Sequence, residues 1–197
     1  MDREIKRKIF HIFSILLLLP VLYLFGKYFL AGLMVILATT VYLIVKLNIK
    51  NPITQLLWFF IENLEREENL KTFPAKEAFS LALGITIVSL FFEEKIVAIS
   101  IISLAIYDGI ATIIGMKFGK IKLLNNRTLE GTVAGIIVNT IALSFIINPL
   151  IGLIISIFVA VIENISSSKE DNFYIPVATA FFSFFLFLYL RNFTPSL

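Results

Sequence analysis

Apolar residues run along this chain in long blocks separated by polar clusters, without the two-residue alternation of a half-buried strand. The blocks extend from Ile9 to Phe25, Tyr28 to Val45, Glu77 to Phe92, Lys95 to Met116, Thr132 to Asn148, Leu150 to Ile162 and Phe173 to Leu190. Each reads as a helix. Together they predict an all-α, polytopic integral membrane helical bundle of about seven transmembrane helices, with residues 1–197 forming a single domain. Several blocks are shorter than the roughly 20 residues that cross about 30 Å of hydrocarbon, so they are expected to borrow flanking residues or to sit where the bilayer is thinned. If Leu150 to Ile162 failed to span, the last helix would reverse direction. Between the second and third blocks, Pro52 to Leu64 carries the run Leu56 to Ile61 and closes on Glu62, Glu65, Glu67 and Glu68. This pattern predicts a short interfacial helix on the cytoplasmic leaflet or, with equal weight, one packed against the bundle.

Composition agrees with a lipid environment. Hydrophobic residues make up 58% of the chain and charged residues 16%, against about 25% charged in an ordinary soluble domain; the mean hydropathy is +0.93. Cysteine is absent, which excludes disulfides, thiol catalysis and Cys-based zinc or iron-sulfur sites. The basic start followed by an apolar run superficially resembles a secretory leader. No small-residue cleavage site follows Pro20 to Tyr28, so the first block is expected to be a retained helix. With the N-terminus cytoplasmic, every Lys and Arg except Lys27, Lys95 and Arg191 falls on the cytoplasmic side. Seven spans then leave the C-terminus outside. The basic charge is thereby accounted for by topology, and no nucleic acid partner is expected.

Asp108 interrupts the fourth block with apolar sequence on both sides. A carboxylate there is costly unless it has a partner or a cation, which makes it a candidate site residue; the alternative role is to tie two helices together. Ala111, Gly115 and Gly119 recur every fourth position after it, and Gly131 and Gly135 repeat the spacing after Glu130, so the two ridges could pack closely. Between them Lys117, Lys120, Lys122 and Arg127 form a basic cluster, Asn125 and Asn126 allow turns, and Thr128 or Thr132 offers a helix cap. Such a segment suits a phosphate group and equally suits a plain positive-inside loop. Glu163, Asp171 and Asn172 lie near the end of the sixth block on the same side, and Arg7, Lys8 and His11 begin the first helix there. Asp108, Glu130, Glu163 and Asp171 supply oxygen ligands for Mg²⁺, while the cations can bind phosphate oxygens that the metal leaves uncovered. Phosphoryl or nucleotidyl transfer needs this combination at one membrane face, because positioning and charge neutralisation supply most of the catalysis. No Walker or protein-kinase motif is present.

Several ordered segments resemble the polyprenol/dolichol kinase family, which includes phytol kinases and CTP-dependent diacylglycerol kinases and is distantly similar to phosphatidate cytidylyltransferases. The segments are Arg7-Lys-Ile-Phe-His11, Asp108-Gly-Ile-Ala-Thr-Ile-Ile-Gly-Met-Lys-Phe-Gly-Lys120, Arg127-Thr-Leu-Glu-Gly-Thr-Val-Ala-Gly135, and Glu163 followed by Asp171-Asn172 and Pro176. Arg127 stands where the family usually has Lys, and Tyr107 where Gly often precedes the motif aspartate. The resemblance implies transfer of the terminal phosphate of a nucleoside triphosphate, often CTP, to a membrane lipid alcohol such as dolichol or another isoprenoid. It assigns Mg²⁺ and catalytic work to Asp108, Glu130, Glu163 and Asp171. Phosphate or nucleotide binding falls to Arg7, Lys8, His11, Lys117, Gly119, Lys120, Arg127, Gly131 and Asn172. The competing readings are CTP-dependent cytidylyl transfer to a phosphorylated lipid and a small transporter; the acceptor lipid and homodimerisation are left open.

Overall fold

The central apolar block folds as one long rod around which the other helices pack. The computed structural model describes residues 2–65, 69–70, 73–166 and 170–193. Within these, the rod comprises α6 (Glu94–Ile102), a π-helical turn (Ser103–Asp108) and α7 (Gly109–Phe118). Of its most apolar stretch 78% is buried inside the protein, against 17% for each of the first two long helices and 28% for the last. It is therefore the axle. Around it run α1 (Asp2–Leu16), α2 (Leu18–Phe25), α3 (Lys27–Lys46), the short α4 (Gln55–Leu64), α5 (Lys76–Phe91), α8 (Leu129–Leu143), α9 (Pro149–Ile165) and α10 (Asp171–Phe193).

Among the described residues, four helices are long and apolar enough to cross a membrane: Glu4–Phe25, Lys27–Lys46, Glu94–Phe118 and Asp171–Asn192. The other three expected spans fold as α5, α8 and α9, of 16, 15 and 17 residues. At about 1.5 Å per residue each covers roughly 22–26 Å, short of the hydrocarbon thickness. Large apolar side chains face outward, among them Leu24, Phe91 and Phe145 at 76%, 75% and 84% exposure. In water that surface would drive aggregation, whereas lipid accepts it. The molecule is an all-α, polytopic membrane helical bundle.

Local sequence explains the breaks. Pro20 lacks the N–H that would bond to Leu16, and the first long helix is interrupted at Leu17. Gly26, at φ +83°, makes the turn into α3 that an L side chain would strain. Thr128 Oγ1 accepts from Gly131 N at 3.2 Å to start α8, and Asn148 Oδ1 accepts from Leu150 N at 2.9 Å ahead of Pro149 to start α9. Pro176 leaves the Asn172 carbonyl without its helical donor, and α5 approaches α10 there through Gly84, whose added Cβ would lie 3.1 Å from that oxygen.

The expected pairing of small-residue ridges is observed. A Cβ on Gly131 would lie 2.4 Å from the Ala111 carbonyl oxygen, and one on Gly135 would lie 3.0 Å from the Tyr107 ring. The helices α7 and α8 thus meet backbone to backbone. The helix expected from Pro52 begins later, at Gln55, because Asn51 and Thr54 cap each other in a turn: Asn51 Oδ1 accepts from Thr54 N at 2.8 Å, and Thr54 Oγ1 accepts from Asn51 N at 3.0 Å. Phe60 stacks on Phe10 of α1 at 5.2 Å and Ile61 is buried, whereas Leu56 and Phe59 point outward. One face of α4 is packed on the bundle and another is free. Glu67 and Glu68, expected to close this helix, lie outside the described residues, as do Arg66, Lys71 and Lys169.

Candidate functional site

A buried charge cluster forms where α1, the π-helical turn, the loop before α8 and the facing ends of α9 and α10 converge. Asp108 ends the π-helical turn and is fully buried. π-Helical turns often mark functional positions, because the extra residue re-aims the side chains that follow. Lys8 Nζ donates to Asp108 Oδ2 at 2.5 Å, His11 Nε2 lies 3.6 Å from the same oxygen, and Thr112 Oγ1 lies 3.5 Å from Oδ1. Lys8 and His11 are consecutive on one face of α1, three residues apart.

Arg127 provides the second centre. Its Nη1 lies 3.0 Å from Glu163 Oε1 and its Nη2 donates to Asp171 Oδ2, so one guanidinium spans the end of α9 and the start of α10. A planar fork does this in a fixed geometry, with a separate nitrogen for each carboxylate. Burial alone would weaken the charge on Arg127, but Glu163, then Asp171 and Asp108, hold its pKa above the ordinary arginine value. Ser166 Oγ donates to Asp171 Oδ1 at 2.7 Å. Asp108 interacts electrostatically with both Glu163 and Asp171, which brings three of the four expected carboxylates into one field. Buried ionised groups are tolerated only when paired in this manner.

The loop is shaped to deliver Arg127. Asn125 and Asn126 adopt φ of 52° and 60°, a left-handed conformation that asparagine tolerates, and Leu123 N donates to Arg127 O at 2.8 Å to close the turn. Asn125 Nδ2 then reaches the carbonyls of Asn164, Ile165 and Ser166 at 2.9, 3.1 and 3.2 Å, fastening the loop to the C-terminal end of α9. Beneath it a cavity of about 270 Å³ is lined by Thr112, Gly115, Lys122, Arg127, Thr128 and Glu163, among others. A second cavity of about 280 Å³ lies beside α1, with Phe10, Leu57, Phe60 and Leu81 among its apolar walls and Arg7, His11, Glu77 and Asn172 among its polar lining. Asp108 touches His11 of the second cavity and Thr112 of the first.

Other expected site residues sit apart from the cluster. Glu130 accepts from Ile121 N through both oxygens at 3.3 Å and so clasps the loop. Lys117, Gly119 and Lys120 are exposed on the approach to that loop, and Gly131 serves the α7–α8 contact. Arg7 is engaged by Glu77, with Nη1 at 2.6 Å from both carboxylate oxygens, and by Glu4; Asn172 Nδ2 donates to the Glu77 carbonyl at 3.1 Å. Sequence reasoning overlooked Glu77, Thr112 and Ser166 because their roles depend on partners far along the chain. Asn125 carried a signal, but only for a turn. Among the described residues no group of three or more His, Asp or Glu side chains forms a ready-made metal site.

Fold and site define a helical membrane protein with a buried, charge-balanced polar centre near the ends of its helices. No family model matches the chain, and no solved structure matches it. It is 32% identical over 137 residues to an uncharacterized protein of Rickettsia prowazekii, covering 66% of this chain and 64% of that one. It is also 28% identical over 162 residues to the dolichol kinase EVAN of Arabidopsis thaliana, covering 76% of this chain but 27% of that protein. The chain therefore spans less than two thirds of the length of either relative. The kinship is distant and reaches the level of a superfamily.

Proposed function

We propose that this chain is a membrane lipid kinase that transfers the terminal phosphate of a nucleoside triphosphate, with CTP the favoured donor, to a lipid alcohol of the dolichol or isoprenoid type. The observation that carries this reading is the meeting of Asp108, Glu163 and Asp171 with Lys8, His11 and Arg127 in a buried cluster that touches two cavities of different character. The similarity to a dolichol kinase over 76% of the chain supports the same class of chemistry.

In this scheme the polar cavity takes the nucleotide phosphates, with Arg127 and Lys122 facing their charge and the Thr128 hydroxyl at its wall. The apolar-walled cavity takes the head of the lipid chain, with its hydroxyl beside His11. Asp108 takes the role of proton acceptor, since Glu163 and Asp171 are the carboxylates set aside for the ion: Oδ2 is held by Lys8, while Oδ1 has only the long contact to Thr112, a wall residue of the polar cavity. The alcohol oxygen forms a bond to the terminal phosphorus as the bond from that phosphorus to the leaving nucleoside diphosphate breaks, and the alcohol proton passes to Asp108. Carboxylate oxygens are hard donors of the kind Mg²⁺ favours, and Glu163 has a buried oxygen without a hydrogen-bond partner. Glu163 and Asp171 would hold the ion together with the nucleotide phosphates, since Mg²⁺ commonly takes only one or two carboxylates beside its substrate. Bound there, the ion would neutralise charge developing on the phosphate oxygens.

Seven spans, α4 on the inner leaflet, a cytoplasmic N-terminus and site, and an outer C-terminus complete the proposal, the whole forming one domain. The purified protein in lipid nanodiscs, given nucleotide labelled at the terminal phosphate and a panel of lipid alcohols, should place label in the lipid. Failure with every nucleotide and alcohol would overturn the reading. Label entering a phosphorylated lipid only from the α position of CTP would replace it with cytidylyl transfer.

A further inference from the structure

Tyr107 is a buried polar residue to which the phosphotransfer scheme gives no task. Its side chain is fully buried, among the largest in the molecule to be so, and its hydroxyl has no hydrogen bond of normal geometry, with Thr132 and Glu163 within interaction range. A phenol hydroxyl in that state is rare in a packed interior, where Phe or Leu would fill the space without the penalty. The hydroxyl faces Thr132 and Glu163, and both oxygens of the fully buried Glu163 also lack a hydrogen-bond partner, although Arg127 pairs with one by charge. The ring is packed closely on one side. It lies against Gly135, where an added Cβ would come within 3.0 Å of Cε2 and 3.2 Å of Cδ2. The π-helical turn that sets Asp108 also sets Tyr107.

We propose that Tyr107 is a positioning residue for Glu163: when an anionic phosphate draws Arg127 away, the Tyr107 hydroxyl donates to the carboxylate and keeps it aimed into the polar cavity. This rests on the proposed phosphotransfer for its purpose, but not for its geometry. Arg127 is shared between Glu163 and Asp171 in the present arrangement, and a phosphate would compete for the same guanidinium. Glu163 would then have lost its guanidinium partner, and a hydrogen bond from Tyr107 would keep the carboxylate oriented toward the cavity where the ion is proposed to bind.

Infrared difference spectra decide the matter without any nucleotide. The full chain in nanodiscs is compared as Arg127→Ala and as Arg127→Ala/Tyr107→Phe, with Glu163→Gln used to identify the carboxylate bands of Glu163. Tyr107→Phe should shift those bands strongly in the Arg127→Ala background and weakly in the wild type, and Gly135→Ala, which displaces the ring, should reproduce the shift. Unchanged Glu163 bands in the Arg127→Ala background would overturn the proposal. Where the wild type transfers phosphate, Tyr107→Phe should lower kcat by roughly 10- to 100-fold, the worth of one hydrogen bond to a charged group, and leave the nucleotide KM in place. A change in KM alone would also overturn it. A wild type that transfers no phosphate removes the kinase reading, while the infrared result still decides whether Tyr107 holds Glu163.

Discussion

Replacing Lys8 by Met tests whether Asp108 is held as a buried ion. The ammonium lies 2.5 Å from Oδ2, with the two side chains 8% and 0% exposed. At an effective dielectric near 20 the attraction is about 7 kcal/mol, most of it offset by the desolvation of both groups. Removing one partner leaves that desolvation uncompensated, so Lys8→Met should destabilise the protein by about 3–5 kcal/mol. Asp108→Leu should cost less, since the long stem of Lys8 can carry its charge toward water. The double variant presents an apolar pair and should recover at least about 2 kcal/mol relative to the sum of the single changes. Reversible unfolding in mixed micelles, followed by circular dichroism, measures all four proteins. Additivity within about 0.5 kcal/mol would refute a coupled buried pair. Phosphate transfer should be absent from the double variant despite its recovered stability, which separates the structural use of the pair from the chemical use of Asp108.

Other expectations follow from particular contacts. Arg127→Met removes the charge shared by Glu163 and Asp171, so transfer to lipid should fall at least about 10-fold in a label-incorporation assay, whereas Arg127→Lys, which keeps the charge, should retain more of it. Gly131→Ala drives a Cβ to 2.4 Å from the Ala111 carbonyl oxygen and should cost about 1–3 kcal/mol by micelle unfolding, whereas Gly32→Ala, with nothing within 4 Å, should be neutral or gain up to about 1 kcal/mol. Asn125→Ala frees the loop from the end of α9; the nucleotide KM should rise and proteolysis near residue 125 should quicken, with little change in global unfolding. Because the chain has no cysteine, single substitutions at Lys122 and Lys95 can be labelled cleanly in sealed cells, and only the latter should react with an impermeant maleimide.

The sequence exposes those features whose physics is local. Asp108 stands out because hydrocarbon penalises a charge wherever the chain turns next, and the Ala111, Gly115 and Gly131 ridges stand out because close helix approach needs small residues at a fixed period. Thr128 was legible as one of two candidate caps, with Thr132, for the same reason, and the structure selects it. Pairings between distant elements were not legible, since a partner is chosen by helix rotation and depth: Lys8 finds Asp108 across a hundred positions, and Glu77, visible only as the edge of an apolar block, becomes the counter-ion of Arg7. Span lengths were blurred because hydropathy does not mark where backbone hydrogen bonding stops: α8 starts and ends earlier than its apolar block, α9 outruns its block at both ends, and both stay below the hydrocarbon thickness.

The same distinction separates topological charge from chemical charge. A positive-inside loop and a phosphate site look alike in sequence, because both place Lys and Arg on the cytoplasmic side of apolar blocks. Burial tells them apart. Lys117, Lys120 and Lys122 are exposed, and a cation that serves only orientation gains nothing by leaving water. Lys8 and, for the most part, Arg127 have left it, at a desolvation cost that their carboxylate partners must offset. A neutral apolar contact would hold the same helices without that cost, so the placement of Lys8 and Arg127 against three carboxylates points to a use for the charge itself. The functional reading therefore stands on Lys8, Arg127 and their acidic partners rather than on the basic run from Lys117 to Lys122.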